Sequence, residues 1–388
     1  MARESVLDRQ LISEEISKLC RQFDDAYWLE RDRDGRFPHE LHQALAAGGW
    51  LGIAMPQAFG GAGLGIAAAA TMMQAIAQSG AGFSGASAVH MNIFGLNPVV
   101  VFGTDSQKQR FLPPLIGGTE KACFAVTEPD AGLDTASLKT RADRDGDQYR
   151  ITGRKIWIST AQVADRMLIL ARTTPREAVR RPTEGLSLFY TALDRRYVDV
   201  REIDKMGRKS VDSNELLIEG LPVPVEDRIG EEGRGFEYIL HGLNPERILI
   251  AAEAVGLGRA ALARAARYAR ERIVFGRPIG QNQGIQHPLA RCWAHLEAAD
   301  LMVQRAAELY DAGAPSGVEA NAAKYLAGEA GFSACETAVM VHGGMGYARE
   351  FHVERYLREI LIARIAPVSR ELILSYIGEK ALGLPKSY

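Results

Sequence analysis

Three short stretches have residue types and spacings that could do chemistry. Gly63-Leu64-Gly65-Ile66-Ala67-Ala68 has the G-x-G-x-x-A spacing of a dinucleotide-binding loop. Such a loop needs a strand leading into it inside a βαβ unit. No β-branched run precedes these glycines and alanine-rich helix follows, so the stretch reads as a loop before a helix. Cys292 and His295 are spaced like half of a metal site, without a second pair. Cys20, Cys123, Cys292 and Cys335 are scattered, which predicts buried free thiols in a reducing compartment and no metal. His342 stands before Gly343-Gly344, but the eight histidines form no spaced set. The P-loop, H-E-x-x-H and G-x-S-x-G patterns are absent. In IARIAPVSREL, residues 362–372, Pro367 interrupts a helical run, because it lacks an N–H and pushes Ala366 toward extended geometry.

The elements that must position such residues come in three textures. In residues 1–120, EEISKLCRQF, PHELHQALAAGGW and AAAATMMQAIAQ carry apolar residues at helical spacing, separated by glycine-rich breaks. In residues 121–232, CFAVT, DQYRITG, RKIWIS, RMLILAR, LSLFYTAL and NELLIEG are short β-type runs bounded by turns such as Asp145-Gly146-Asp147. With no crossover helices among them, they predict a small antiparallel β-barrel or sandwich. In residues 233–388 the helical period returns in runs long enough to pack as a bundle. The expected class is α+β: an N-terminal helical domain (1–120), a middle antiparallel β-barrel domain (121–232) and a C-terminal helical bundle domain (233–388).

The 388 residues allow two or three domains, and a net charge of −2 gives no broad basic field for nucleic acid or an anionic membrane. MARESVLDRQLISEE is charged and lacks the apolar core of a secretory signal. No stretch of about 18 apolar residues stands out, so no membrane span is expected and a cytoplasmic location is.

Four segments together resemble the acyl-CoA dehydrogenase family of flavoproteins. They are Phe124-Ala-Val-Thr-Glu-Pro-Asp-Ala-Gly-Leu-Asp134, Ile151-Thr-Gly-Arg-Lys-Ile-Trp-Ile-Ser159, Arg270-Glu-Arg-Ile-Val-Phe-Gly-Arg-Pro-Ile279 followed by Gln283, and His342-Gly-Gly-Met-Gly-Tyr347 followed by Glu354-Arg355 and Arg358-Glu359. Their order and spacing hold over almost the whole chain. The resemblance implies an FAD site. Phe124, Val126 and Thr127 line the flavin ring, Trp157 stacks near it with Ile158 beside it, and Ser159 lies near N5. Gly132 lets the backbone approach the pyrophosphate. Arg272, Phe275, Gln283, Gly343 and Gly344 reach FAD across a subunit interface, which implies a homotetramer built as a dimer of dimers. Leu133, Met340, Ser369 and Glu371 stand where the family has a serine, a glutamine, a threonine and a glutamine. Ser369 can donate to FAD or cap the next helix, and Glu371 is expected to turn away or pair with an arginine.

The family's reaction is α,β-dehydrogenation of an acyl-CoA thioester. A carboxylate takes the α-proton and a hydride leaves the β-carbon for the flavin; electrons then pass to an electron-transferring flavoprotein. In many members the base is a glutamate at a position that falls here on Pro367, within Ala366-Pro367-Val368-Ser369. Proline can neither accept a proton nor donate the N–H that helps hold the thioester oxygen; Val368 N–H or a flavin ribityl hydroxyl is the expected substitute. Isovaleryl-type and long-chain-type members carry the base in a segment similar to Gly242-Leu-Asn-Pro-Glu-Arg247, which makes Glu246 the expected base. Asn244 and Pro245 either start a helix there, so that its dipole lowers the Glu246 pKa, or lie in a helix running through from GFEYIL, which Pro245 kinks. Leu133, Asn244, Arg247, Ala366 and Pro367 are the expected substrate contacts. Two other readings are a flavin-dependent oxidase or monooxygenase on the same fold, and a non-catalytic acyl-CoA-binding scaffold.

Overall fold

A computed structural model describes residues 2–387. The first part is helical: α1 (Ala2–Cys20), α2 (Asp25–Asp34), α3 (His39–Ala47), α4 (Gly65–Ile76), α5 (Gly82–Ile93), α6 (Asn97–Phe102) and α7 (Asp105–Ile116). The glycine-rich stretch at 60–64 is a loop before α4, as its composition predicts. α7 opens on a capping box: Thr104 Oγ1 accepts from Gln107 N while the Gln107 side chain accepts from Thr104 N.

Strands follow as β1 (Ala122–Ala125), β2 (Arg141–Asp145), β3 (Gln148–Ser159), β4 (Arg166–Arg172), β5 (Leu186–Ala192), β6 (Val198–Glu202), β7 (Ser213–Pro224) and β8 (Arg228–Ile229). The expected closed barrel does not form. The strands make an open sheet in the order β6-β7-β3-β2-β4-β5-β8, with β1 beside β4. Its end strands never meet. β8 is only two residues long, and Gln107 of α7 donates to the carbonyls of Glu226 and Arg228 at 2.8 Å, so a helix side chain satisfies that edge. Nor is the sheet wholly antiparallel: β1 runs parallel to β4, because the β2–β3 hairpin intervenes and β4 re-enters in the same direction.

The helical period returns in α8 (Gly235–Glu271). The short strands β9 (Ile273–Val274) and β10 (Arg277–Pro278) follow, then α9 (Gln283–Asp311), α10 (Gly317–His342), α11 (Val353–Ile360), α12 (Ile362–Ile365) and α13 (Arg370–Leu382). α8 packs against α9 and α10 on one side and α4 and α5 on the other, so both helical layers share one core. β4 shows how the sheet joins it. Leu168 and Leu170 face the helical core, while Met167 and Ile169 face a second core on the other side. The strand alternation of period two thus buries both faces.

The run Gly65–Phe102 corrects the expectation that no long apolar stretch exists. It is long and apolar enough by composition to cross a membrane, but 78% of its apolar window is buried inside the protein, in core helices. Between α4 and α5 the chain makes a π-turn over Ala77–Ala81, with Gly80 at φ +104° and Gly82 at φ +63°. A Cβ on Gly82 would lie 2.4 Å from Glu359 Oε2, which also accepts from Ser84 N. Gly82→Ala is therefore expected to cost about 1–3 kcal/mol, from backbone strain and a displaced buried carboxylate, read as a shifted denaturation midpoint.

Candidate active site

α8 runs unbroken through Pro245, so Asn244 is not a helix cap; its Oδ1 instead accepts from Arg247 Nη1 at 3.0 Å. Of the two helix arrangements, the through-running one holds. Glu246 therefore lies well inside the helix, beyond reach of its N-terminal dipole. The carboxyl is partly buried, and desolvation lifts its pKa from 4.5 to about 7, against the pull of His90, Arg247 and Lys324 and with a push from Glu253. Burial likewise lowers the Arg247 guanidinium from its usual value, with Glu246 opposing.

Pro367 sits where α12 ends. Ala366 is extended, at φ −143° and ψ 160°, as the proline requires. The segment is tied down by Lys324 of α10, whose Nζ donates to Val368 O at 2.8 Å. Lys324 is buried, and desolvation brings its pKa down to about 8. Ser369 caps α13, its Oγ accepting from Leu372 N at 3.3 Å. Glu371 is exposed and pairs with Arg370 at 2.6 Å, so of the two expected arrangements the arginine pairing holds.

The end of β1 and the loop after it carry the next candidates. Phe124 is partly buried, Val126 buried and Thr127 partly buried, while Gly132 and Leu133 are exposed. A buried ion pair holds this loop to the sheet. Lys155 Nζ donates to Glu128 Oε1 at 2.9 Å, Val126 O at 3.0 Å and Leu170 O at 2.8 Å. Glu128 also accepts from Lys139 N at 2.6 Å and Thr140 N at 2.9 Å. Burial pushes the Glu128 carboxyl up, but Lys155 and these N–H donors outweigh it and hold the group below the usual carboxylate range. Burial brings Lys155 down to about 8.

β3 carries Trp157, Ile158 and Ser159. Its register against β7 shifts between Lys155 and Ile158, and Trp157 there takes φ +61°. This bulge turns Trp157 outward, 56% exposed, while Lys155 and Ile158 stay buried. Ser159 Oγ accepts from Arg208 Nη2 at 2.9 Å, and Arg208 Nη1 donates to Ser87 Oγ at 3.2 Å.

Arg272, Phe275, Gln283, Met340, Gly343 and Gly344 lie apart from Glu246, on an exposed face. Phe275 is 100% exposed in the β9–β10 turn and Met340 is 74% exposed. Gly343 has φ +60° at the end of α10, and a Cβ there, on Gly344 or on Gly132 would meet nothing within 4 Å. These glycines leave open backbone for the close approach of a bulky ligand. The four cysteines are buried free thiols, as expected, and no group of metal-ligating side chains occurs among the described residues.

Sequence reasoning passed over His90, Arg208, Glu253 and Lys324. The available signal was a polar or charged side chain inside an apolar helical run: Glu253 in ILIAAEAVGLG, Lys324 in AANAAKYLAG and His90 in GASAVHMNIFG.

Two helical layers sharing one core, an open sheet packed against that core by one face, and a desolvated carboxyl on α8 match a class of oxidoreductases in both sequence and structure. Models of the acyl-CoA dehydrogenase N-terminal, middle and C-terminal domains match residues 7–119, 123–221 and 233–382. The chain belongs to the acyl-CoA dehydrogenase family, whose cofactor is FAD. It is 34% identical to an acyl-CoA dehydrogenase of Mycobacterium bovis, fadE12, over 98% of this chain and 97% of that one. It is also 34% identical to the 3-(aryl)acrylate reductase of Clostridium sporogenes, over 95% and 97%. The structure of butyryl-CoA dehydrogenase from Megasphaera elsdenii superposes with a TM-score of 0.89 at 31% identity, covering 96% of this chain and 98% of that one. The exposed Trp157, the open glycine backbone at 132 and 343–344 and the hydroxyl of Ser159 fit FAD.

Proposed function

We propose that this enzyme carries out α,β-dehydrogenation of an acyl-CoA thioester, with Glu246 as the base. The observation that supports this most is a desolvated carboxyl on α8, titrating near 7, while the alternative base position is a proline. FAD, once bound, supplies the acceptor for the hydride that leaves the β-carbon. Phe124, Val126, Thr127, Gly132, Leu133, Trp157, Ile158 and Ser159 hold it. Arg272, Phe275, Gln283, Met340, Gly343 and Gly344 meet a neighbouring subunit's cofactor in a homotetramer, which would cover the exposed Phe275 and Met340. Ser369 and Glu371 flank this site.

Glu246 Oε takes the α-proton. A desolvated carboxylate is a stronger base toward carbon than one in water. Ala366 and Pro367 border the acyl thioester, with Asn244 and Arg247 on the opposite wall. Pro367 cannot donate to the thioester oxygen, so the Val368 N–H, which bonds to no group among the described residues, takes that role. Lys324 fixes Val368 through its carbonyl and so aims that N–H. An electron-transferring flavoprotein is the acceptor of the electrons. The location is cytoplasmic, and the domains divide at 120/121 and 232/233.

Anaerobic addition of a panel of acyl-CoAs to the FAD-loaded enzyme tests this reading. Bleaching of the flavin band by at least one saturated acyl-CoA is expected; no bleaching by any of them would sink it. The ionised carboxylate is the active form, so kcat/KM should rise tenfold per pH unit below about 7 and level off above it. A profile flat from pH 5.5 to 8.5 would remove Glu246 as the base.

A further inference from the structure

Arg208 is a partly buried cation that the reaction above does not use. It lies in the loop between β6 and β7 and takes φ +54°, a left-handed conformation uncommon for a residue with a Cβ. Trp157 and Thr160, which bracket Ser159, share that region at φ +61° and φ +63°. Such outliers persist only where the surrounding structure holds them, and they cluster at functional sites.

Burial lowers the Arg208 pKa from its usual value, with Glu253, Glu359 and Asp212 opposing. Each of those carboxylates is already taken. Glu253 bonds His90, Glu359 accepts from Ser84 and Arg355, and Asp212 accepts from Gln162 N and Asn214. No carboxylate pairs with Arg208 among the described residues. Two hydroxyls hold its side chain instead: Nη1 donates to Ser87 Oγ of α5 at 3.2 Å and Nη2 to Ser159 Oγ of β3 at 2.9 Å. A serine hydroxyl has one proton of its own to give. Ser159 Oγ accepts from Arg208 and donates to no group among the described residues, so that proton is free for a ligand. The fold thus keeps a positive charge without a direct counter-ion one hydrogen bond behind Ser159, at a cost in desolvation.

We infer that Arg208 raises the reduction potential of bound FAD, its guanidinium fixed by Ser87 and Ser159 so that its charge sits behind the Ser159 hydroxyl. This rests on the proposed reading, in which Ser159 borders the flavin. Gain of a hydride adds negative charge to the ring, and a fixed cation a few ångströms away favours the form that carries it. A neutral donor would orient Ser159 at a smaller desolvation cost; a guanidinium adds the charge. Arg208 is in this account a positioning residue and touches no reacting atom.

The test is the midpoint potential of the FAD-loaded enzyme, read by chemical reduction against a redox dye. Arg208→Met is expected to bind FAD and to shift its reduction equilibrium about 10- to 100-fold toward the oxidised form, about 30 to 60 mV for two electrons. Arg208→Lys, which keeps the charge, should recover most of that shift. All the replacements have a Cβ at the same φ, so backbone strain does not separate them. Arg208→Gln, an uncharged donor, serves if the methionine variant does not hold FAD. A parental potential in the uncharged variants, a drop that lysine does not reverse, or loss of FAD from both uncharged variants would each overturn the inference. A Ser159→Ala variant with the parental potential and flavin spectrum would overturn the placement of Ser159 at the flavin, and this inference with it. The reductant is chemical, so the potential is read whether or not any acyl-CoA bleaches the flavin, and failure of the proposed reaction is a separate result.

Discussion

Glu246→Gln is expected to bind FAD normally and to reduce its flavin about 10²- to 10⁴-fold more slowly with acyl-CoA than the unmodified enzyme does. The amide keeps the shape of the side chain and its place on α8 but cannot take a proton. Glu246→Asp should retain part of the rate, because the carboxylate survives one methylene further from the α-carbon. Stopped-flow absorbance under anaerobic conditions reads both, and a Gln variant within threefold of the parent would exclude Glu246 as the base. Burial also links this residue to stability. The folded carboxyl titrates near 7 and the unfolded one near 4.5, so Glu246 favours folding most below pH 4.5. That contribution is lost as pH rises through 7, because the unfolded chain then holds fewer protons than the folded one. The desolvation that would make Glu246 a strong base thus costs folding stability above pH 7.

Lys155→Met is expected to cost about 3–5 kcal/mol of folding stability, because it leaves Glu128 buried without its cation. The Glu128 carboxylate would keep the Lys139 and Thr140 N–H donors but lose its ion-pair partner. The loop carrying Val126, Thr127, Gly132 and Leu133 would loosen with it, so FAD affinity should fall in the same variant. The double variant Lys155→Met/Glu128→Leu removes both charges and should recover much of the stability. Denaturant titration followed by fluorescence checks the series. A single variant as stable as its parent would show that the pair carries no structural weight.

The three textures of the chain were legible because helical and strand periodicities differ, 3.6 against 2, and glycine-rich breaks mark their boundaries. The helix break at Pro367 was equally plain, and the structure ends α12 there with Ala366 extended. The closed barrel was not legible. Closure depends on whether the end strands meet, and here Gln107 of α7, remote in sequence, satisfies the β8 edge instead. Strand direction was hidden for a similar reason, since β1 reaches β4 only across an intervening hairpin.

For the site, the sequence by itself determined which residue types are present: a glutamate in Asn244-Pro245-Glu246-Arg247, a proline that can be neither base nor donor, and glycines at 132, 343 and 344. It left open whether Pro245 begins a helix or lies within one, and so whether a helix dipole or desolvation sets the Glu246 pKa. The tertiary structure decided this: α8 runs through, the dipole is out of reach and burial wins. The pairing of His90 with Glu253 was likewise a tertiary matter. The two lie on different helices, α5 and α8, and only the packing of those helices brings a ring nitrogen and a carboxylate together in a buried interface. Residue chemistry is local and can be read along a chain; the solvation and partners that set its reactivity come from segments far apart in sequence.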